Sequence, residues 1–393
     1  MQRDLICNLY YGEKVTQADV NLQQHGDCTV IAKVVPRTFF SVPPSDDFYF
    51  ESIESNDSLV LKKTQALVTK FNSRIGGSEL RSEFEVILNE AELESATALA
   101  NDDIVTAKIY LTNLPYFQAS TNTVITVSGQ QITLLPHNGE AITNIAQIPN
   151  IKCGDVNRIK ELIESVCWLC SLGSGHLSSI ARVEVLRSNE LVYLGLHSVD
   201  TTLNKGIRLI DNRNVTDIHQ FIEHSFDTYK NLSNIYLLNN LIHMGILAKH
   251  TSYIENKILL MSTFLEVLRY HYALNVGVQK GLFTESGNNF IWASGQKTGQ
   301  RASFKEILEQ FCVDNNISGW QDDFKDLRNQ IVHTGSVSGS DKFNRYFNLH
   351  HFCDRVLLGL LKWDQSQGFY IPVNCPSVPV PNVIGVNHVR FVR

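Results

Sequence analysis

The feature that most limits the fold of this chain is an apolar stripe between positions 254 and 272. Its members follow one another at steps of 4, 3, 4, 3 and 4 residues: Ile254, Ile258, Met261, Leu265, Leu268 and Tyr272. Steps of three and four residues return to the same side of an α-helix, which has about 3.6 residues per turn. Such a stripe is buried against neighbouring helices, so the C-terminal part of the chain is predicted to form a helical bundle.

Segments before and after the stripe predict the neighbouring helices. Each of them repeats apolar residues at helical spacing, and they cover 214–226, 235–250, 304–311, 320–335 and 342–363. A further helix is predicted over 154–170, followed by a hairpin of two strand-like runs, 181–187 and 191–197.

The first 150 residues have a different pattern. Runs rich in β-branched residues, separated by turn-forming residues, cover 27–35, 84–88, 103–111, 122–129 and 131–136. Several short strands in series favour a sandwich or a curved sheet over a doubly wound parallel sheet. The segment 41–58 is acidic and contains two adjacent prolines, and it is predicted to be a surface loop.

These patterns predict an α+β multidomain protein. A β-rich, sandwich-like sensing or regulatory domain is expected at 1–150, and a small α+β connecting region at 151–212. The helical domain is expected at 213–366, with an extended tail at 367–393 that contains alternating apolar residues and prolines.

Composition excludes several classes of protein. The chain has 393 residues, of which 43% are hydrophobic and 19% charged, as in ordinary globular proteins. A formal net charge of −6 argues against a protein that coats nucleic acid through a general positive field, although a small basic site is compatible with it. The N-terminus lacks the features of a signal peptide and no apolar run approaches about 20 residues, so a cytoplasmic protein without a membrane partner is expected.

Cysteines and histidines give little indication of a metal site. Cys167 and Cys170 form a C-x-x-C, which could be a redox pair or half of a zinc site, or could lie on the apolar face of a helix. No second pair accompanies them, which favours the buried helix face. His350 and His351 are adjacent on the last helix and are predicted to have packing roles. No metal and no cofactor are expected.

The most informative polar residues lie in the segment 326–335, DLRNQIVHTG. Asn329 and His333 are four residues apart and point away from the side of the helix that carries Trp320, Phe324, Leu327 and Ile331. Arg328 lies between the two sides. Gly335 is a predicted C-cap, which places His333 in the last turn, where the carbonyl end of the helix dipole favours an imidazolium.

This Arg-Asn-x-x-x-His motif at a helix end resembles the Arg-x4-His signature of the HEPN superfamily of all-helical ribonuclease domains. The resemblance covers about residues 214–366. It implies that Arg328, Asn329 and His333 form a metal-independent ribonuclease site that is usually completed by dimerisation. Glu266 follows Leu265 in a central helix, as in HEPN domains with a similar Leu-Glu pair, although an exposed carboxylate without a catalytic part is the simpler interpretation.

The three motif residues suit that chemistry. Cleavage of RNA by its own 2′-hydroxyl needs a base, an acid and positive charge near the phosphate. His333 can serve as base or acid, Arg328 can bind phosphate oxygens, and Asn329 can hold the phosphate or orient the imidazole. Alternatively, Arg328 pairs with a local acid such as Asp323 or Asp326, and the other two residues are solvated or cap the helix.

The segment 277–302 interrupts the helices and is expected to be a long loop that is functional or disordered. It carries the candidate RNA-binding residues Lys280, Lys297 and Arg301. Phe290 and Trp292 lie among them and could stack on bases of single-stranded RNA, or could attach the loop to its domain.

The order of the predicted domains resembles that of ApeA-type bacterial anti-phage proteins. The resemblance implies an RNA-cleaving defence or toxin-type effector whose β-rich domain senses a phage-derived or host protein trigger or restrains the site. The alternative is a non-catalytic HEPN-like dimerisation or adaptor protein whose β-rich region binds a protein partner. A homodimer is expected, and in the first case RNA is the substrate.

Overall fold

The structure is a computed structural model, and it describes residues 1–11, 14–38, 48–54, 59–62, 64–65, 67–76, 79–95, 99–117, 122–203, 208–210, 215–287, 289–337, 339 and 341–363. The chain divides into two compact units. The first combines Met1–Cys167 with Ser178–Thr202, and the second combines Trp168–Leu177 with Leu203–Arg393. Among the described residues, no helix is long and apolar enough to cross a membrane.

The first unit is built from strands that form two large sheets. In chain order they are β1 (Gln2–Tyr11), β2 (Lys14–Gln24), β3 (Val30–Pro36), β4 (Phe48–Glu54), β5 (Leu59–Leu61), β6 (Thr64–Gln65), β7 (Leu67–Gly76), β8 (Glu79–Leu88), β9 (Glu90–Ser95), β10 (Ile104–Thr112), β11 (Thr123–Val127), β12 (Gln130–Pro136), β13 (Ile142–Lys152), β14 (Ile180–Arg187) and β15 (Glu190–His197). Within the described residues, the first sheet has the order β6-β4-β1-β2-β3-β8-β7, and the second has the order β11-β12-β13-β10-β14-β15-β9-β5. The β-rich N-terminal half expected from the sequence is therefore confirmed.

The core of this unit lies between residues of both sheets. Strand β3 alternates buried and more exposed side chains, as a strand with one face in a core does. One buried cluster contains Val20 and Phe84 from the first sheet together with Leu93 and Leu194 from the second. Burial of these side chains provides the apolar area that stabilises the unit.

The prediction of a surface loop at 41–58 is wrong for the central part of that segment. Phe48–Glu54 is strand β4, which pairs with β1 so that Phe50 lies opposite Leu9. Phe50 is fully buried and Ser52, two residues further along the strand, is also buried, so this face of β4 points into the core. The rest of that segment lies outside the described residues.

The expected hairpin at 181–197 is confirmed as β14 and β15. Ser188 and Asn189 form its turn with positive φ values of 50° and 71°, as tight hairpin turns require. Strand β14 also pairs with β10, so the hairpin belongs to the second sheet rather than to a separate connecting region.

The second unit is dominated by helices, and the boundary between the units falls within the first of them. The helices are α1 (Val156–Ser174), α2 (Val215–Tyr236), α3 (Leu238–His250), α4 (Ile254–Tyr272), α5 (Phe304–Asp314), α6 (Asp323–Thr334) and α7 (Lys342–Leu360). Helix α4 packs against α2, α3, α5, α6 and α7. All six members of its apolar stripe are buried, which confirms the central helix of the bundle.

The segment 277–302 is folded where a loop was expected. It contains a hairpin of β16 (Phe283–Ser286) and β17 (Asn289–Trp292) that follows a π-helical turn at the end of α4. A side chain at Gly277 would overlap the ring of Phe283, so a glycine lets the hairpin approach the turn closely. The predicted tail at 367–393 lies outside the described residues.

Candidate active site

Helix α6 presents its apolar side to the bundle as the sequence predicts. Phe324, Leu327 and Ile331 are all buried, whereas Trp320, the fourth predicted member of this side, precedes the helix, which begins at Asp323. Gly335 ends the helix in the left-handed conformation, with φ at 68°, and its N–H donates to the carbonyl of Ile331 at 3.0 Å. The C-cap is thus confirmed, and His333 lies in the last turn.

The three motif side chains differ in their contacts. His333 is exposed, and its side chain makes no hydrogen bond or ion pair with any other residue that the structure describes. Asn329 is half-buried, and its Oδ1 accepts a hydrogen bond from Arg328 Nη1 at 2.9 Å. Arg328 is therefore attached to Asn329, while His333 is available to an external group.

The carboxylate that binds Arg328 comes from another helix. Arg328 Nη2 lies 2.6 Å from Glu266 Oε1 on α4, and Arg269 Nε donates to Glu266 Oε2 at 3.0 Å. The alternative in which Arg328 pairs with Asp323 or Asp326 named the wrong acid, because Arg328 pairs with Glu266 and Asp323 receives a bidentate ion pair from Arg345. Glu266 is consequently the shared anion of two arginines rather than a solvated carboxylate.

A pocket of 330 Å³ opens beside this ion pair, within the second unit. Arg269, Arg301 and Arg328 line it together with Glu266. Phe304 also lines it and lies 5.7 Å from the Arg328 guanidinium, measured from the ring centroid to Cζ. The structure thus brings Arg301 and Arg328 together, whereas Asn329 and His333 are not among the lining residues.

The other two candidate RNA-binding residues are occupied by carboxylates. Lys280 Nζ lies 2.6 Å from Asp314 Oδ2, and Lys297 forms an ion pair with Glu306. The Lys297 ammonium is the main cause that lowers the pKa of Glu306 to about 2. These two lysines therefore bind the domain's own acids, and Arg301 is the member of the predicted set that reaches the pocket.

The aromatic residues of the hairpin serve to attach it. Phe290 is buried, and its ring lies 5.7 Å from that of Tyr270 and 6.4 Å from that of Phe283. Trp292 is partly buried, with its ring 4.7 Å from that of Phe283. The alternative in which the aromatic residues hold the segment on its domain is favoured over base stacking.

The C-x-x-C lies on a buried helix face, as the simpler interpretation predicted. Cys167 and Cys170 are both buried in α1. Burial raises the pKa of the Cys167 thiol. A thiol in this environment is poorly suited to nucleophilic chemistry.

Sequence analysis missed a buried polar cluster on α7. Ring nitrogens of His350 and His351 and a carboxylate oxygen of Asp354 lie within 4.8 Å of one another, although the two histidines are adjacent in sequence. His350 Nδ1 lies 3.3 Å from Asp354 Oδ2, and Lys249 Nζ lies 3.4 Å from Asp354 Oδ1. Because the Lys249 ammonium already provides a cation beside the carboxylate, the cluster forms a polar network between α3 and α7.

Comparisons of the chain with protein-family models, with curated proteins and with solved structures found no match.

Proposed function

We propose that this protein is a metal-independent endoribonuclease of the HEPN type, acting in the cytoplasm as a bacterial anti-phage defence or toxin-type effector. The observation that supports the proposal is the arrangement around Arg328. This residue lines a pocket with two further arginines, and on the same helix Asn329 and the exposed His333 follow it. A phosphate-binding group and a proton carrier are two of the parts that RNA transesterification needs.

The proposed reaction uses the RNA's own 2′-hydroxyl as the nucleophile. A base takes the proton of the 2′-hydroxyl while its oxygen bonds to phosphorus, and the bond from phosphorus to the 5′-oxygen breaks. An acid gives a proton to the departing 5′-oxygen, leaving a 2′,3′-cyclic phosphate and a 5′-hydroxyl. Arg328 stabilises the charge that develops on the phosphate oxygens, and His333 carries one of the two protons.

A second proton carrier would come from another copy of the chain. Exposed apolar residues in the second unit support self-association: Val332, next to His333, is 49% exposed, and Phe343 and Phe347 on α7 are 56% and 37% exposed. Phe343 and Phe347 are four residues apart and so lie on the same side of their helix. Two-fold association would bring a second His333 to complete the site.

The test is controlled expression of the wild type and of His333→Ala in a bacterial host, with growth and the integrity of tRNA and rRNA as readouts. We expect growth arrest and RNA fragments with the wild type, and a loss of cleavage by about 10²- to 10⁴-fold with His333→Ala. The fragments should end in 2′,3′-cyclic phosphates.

Thermal unfolding of His333→Ala separates loss of chemistry from loss of folding, and a substitution at another exposed histidine tests the specificity of the effect. His25→Ala replaces an exposed histidine of the first unit and should leave cleavage unchanged. Equal RNA cleavage by the wild type and His333→Ala would contradict the proposal.

The second candidate is a non-catalytic adaptor that dimerises through its helical unit and binds a protein through its β-rich unit. The observation that favours it is that Asn329 and His333 are not among the residues that line the pocket beside the Glu266–Arg328 ion pair. It predicts that the wild type leaves RNA intact under all conditions and that Arg328→Ala alters stability alone.

A further inference from the structure

The arginine pocket, defined by Glu266, Arg269, Arg301, Phe304 and Arg328, has more positive charge than its own acid can compensate. Three guanidinium groups and one carboxylate leave two positive charges. Both Arg269 and Arg328 already bind the single carboxylate, Glu266. Arg301 is exposed and has no ion pair with any residue in the described part of the chain.

One donor in the pocket wall lacks an acceptor. Arg328 Nε is buried from solvent and makes no hydrogen bond with the described residues. The guanidinium has five N–H groups, of which one on Nη1 binds Asn329 and one on Nη2 binds Glu266, so three N–H groups remain for another acceptor.

The charge and the volume together define the class of ligand. A phosphate monoester carries about −1.5 to −2 charges near neutral pH and offers three acceptor oxygens, which matches a surplus of two positive charges. The volume of 330 Å³ exceeds the space that an isolated phosphate needs, and it lies in the range of pockets for small organic ligands. Phe304 supplies a partly exposed ring against which a base can lie.

We infer that the arginine pocket binds a nucleotide through its phosphate group, with Arg301 and Arg328 as phosphate ligands, Arg269 as a further cation and Phe304 beside the base. The inference rests on the proposed function in one respect, namely that the nucleotide belongs to the RNA substrate. Two sources share this chemistry: the phosphorylated end of an RNA and a free nucleoside monophosphate.

The experiment measures binding to the full chain by isothermal titration calorimetry. The probes are a short RNA with a 5′-phosphate, the same RNA with a 5′-hydroxyl, and a nucleoside 5′-monophosphate with its parent nucleoside. Methylated 2′-hydroxyls in the RNA prevent cleavage during the measurement. We expect each phosphorylated probe to bind at least about tenfold more tightly than its unphosphorylated counterpart, because charge-assisted hydrogen bonds are lost without the phosphate.

Substitutions test whether the phosphate binds in the arginine pocket. Arg301→Ala should weaken binding of the phosphorylated probes by about tenfold or more, and Arg301→Lys should recover part of it because the charge remains but the forked donors do not. Lys325→Ala removes a positive charge from an exposed position of α6 and should change affinity less than about twofold. Thermal unfolding of each variant verifies that the chain is folded.

The outcomes separate this inference from the proposed function. Tighter binding of the phosphorylated RNA than of the monophosphate supports an RNA end as the ligand, and the reverse order supports a free nucleotide. Binding that ignores the phosphate, or that Arg301→Ala leaves unchanged, overturns the inference even if the chain cleaves RNA, whereas phosphate-dependent binding without cleavage supports the pocket and contradicts the ribonuclease.

Discussion

Glu266 on α4 and Arg328 on α6 are joined by an ion pair whose atoms Oε1 and Nη2 lie 2.6 Å apart. Each side chain is 27% exposed, so the pair is sheltered from solvent more than a surface ion pair is. Glu266 also binds Arg269, and Arg328 also binds Asn329. The direction of the Arg328 guanidinium is therefore set by two helices rather than by its own helix alone.

The first prediction concerns this pair. Glu266→Gln should lower the free energy of unfolding by about 1 to 2 kcal/mol, because two partly buried arginines lose their anion. Denaturant unfolding of Glu266→Gln, Arg328→Gln and the double variant measures the coupling, which we expect to be about 1 kcal/mol. Additive effects of the two substitutions would mean a coupling free energy of zero, and would contradict a stabilising interaction between Glu266 and Arg328.

The second prediction concerns the end of the motif helix. Gly335→Ala should destabilise the second unit by about 1 kcal/mol, because an L-residue is disfavoured at a φ of 68°. Gly245→Ala is the matched control: Gly245 lies within α3 with nothing within 4 Å of an added Cβ. That substitution should stabilise by about 0.5 to 1 kcal/mol through helix propensity, so the two changes are expected to have opposite signs in denaturant unfolding.

The third prediction concerns acid sensitivity at His351. Burial lowers the pKa of His351 from 6.5 to about 4, while Asp354 opposes the shift and His350, Arg355 and Lys249 add to it. The unfolded chain thus binds more protons between pH 6.5 and 4, so the free energy of unfolding falls as pH decreases through this window, by at most about 1.4 kcal/mol per pH unit for one proton.

His351→Gln should make that pH dependence shallower, as measured by denaturant unfolding at several pH values between 7 and about 4. An identical dependence in the wild type and in His351→Gln would show that other groups determine it.

The fourth prediction concerns the opposite case, a carboxylate with a lowered pKa. The Lys297 ammonium and the backbone of Ser303 hold the pKa of Glu306 at about 2, below its ordinary value of 4.5. Its contribution to stability is present above about pH 4.5 and is lost as pH falls towards 2. Glu306→Gln should lower the Tm by about 2 to 4 °C near neutral pH, with the difference from the wild type shrinking in acid.

Thermal unfolding of both proteins across that range measures the effect. Glu306 also completes a capping box with Ser303, and glutamine can keep that hydrogen bond, so the substitution isolates the charge. A Tm difference that stays constant down to pH 2 would contradict an ionic contribution.

Much of the secondary structure could be predicted from the sequence, because burial of one side of a helix requires apolar residues at regular spacing. The stripe of α4, the apolar side of α6 and the left-handed Gly335 all follow from side-chain spacing or backbone preference. Strands β1, β2 and β13 were not predicted, since half-exposed strands mix polar and apolar residues and carry a weaker signal.

The candidate site was predictable only where its residues are neighbours in sequence. Arg328, Asn329 and His333 share one helix, so their spacing predicts their relative positions. Arg269 was missed and Glu266 was underestimated, because the contact between α4 and α6 depends on tertiary packing that spacing does not encode. Arg301 was identified as a basic loop residue, but its place beside Arg328 follows from the hairpin, which a Gly- and Asn-rich segment did not suggest.

Glu266 immediately follows Leu265, a fully buried member of the central stripe. The residue that positions Arg328 thus directly follows a buried core residue. In a close-packed core, adding or removing one methylene group displaces the surrounding side chains. Substitutions that alter the volume at position 265 would displace the guanidinium without touching it. The packing of the bundle interior therefore determines where the arginine side chains of the pocket lie, and with it the geometry in which they would bind the proposed phosphate.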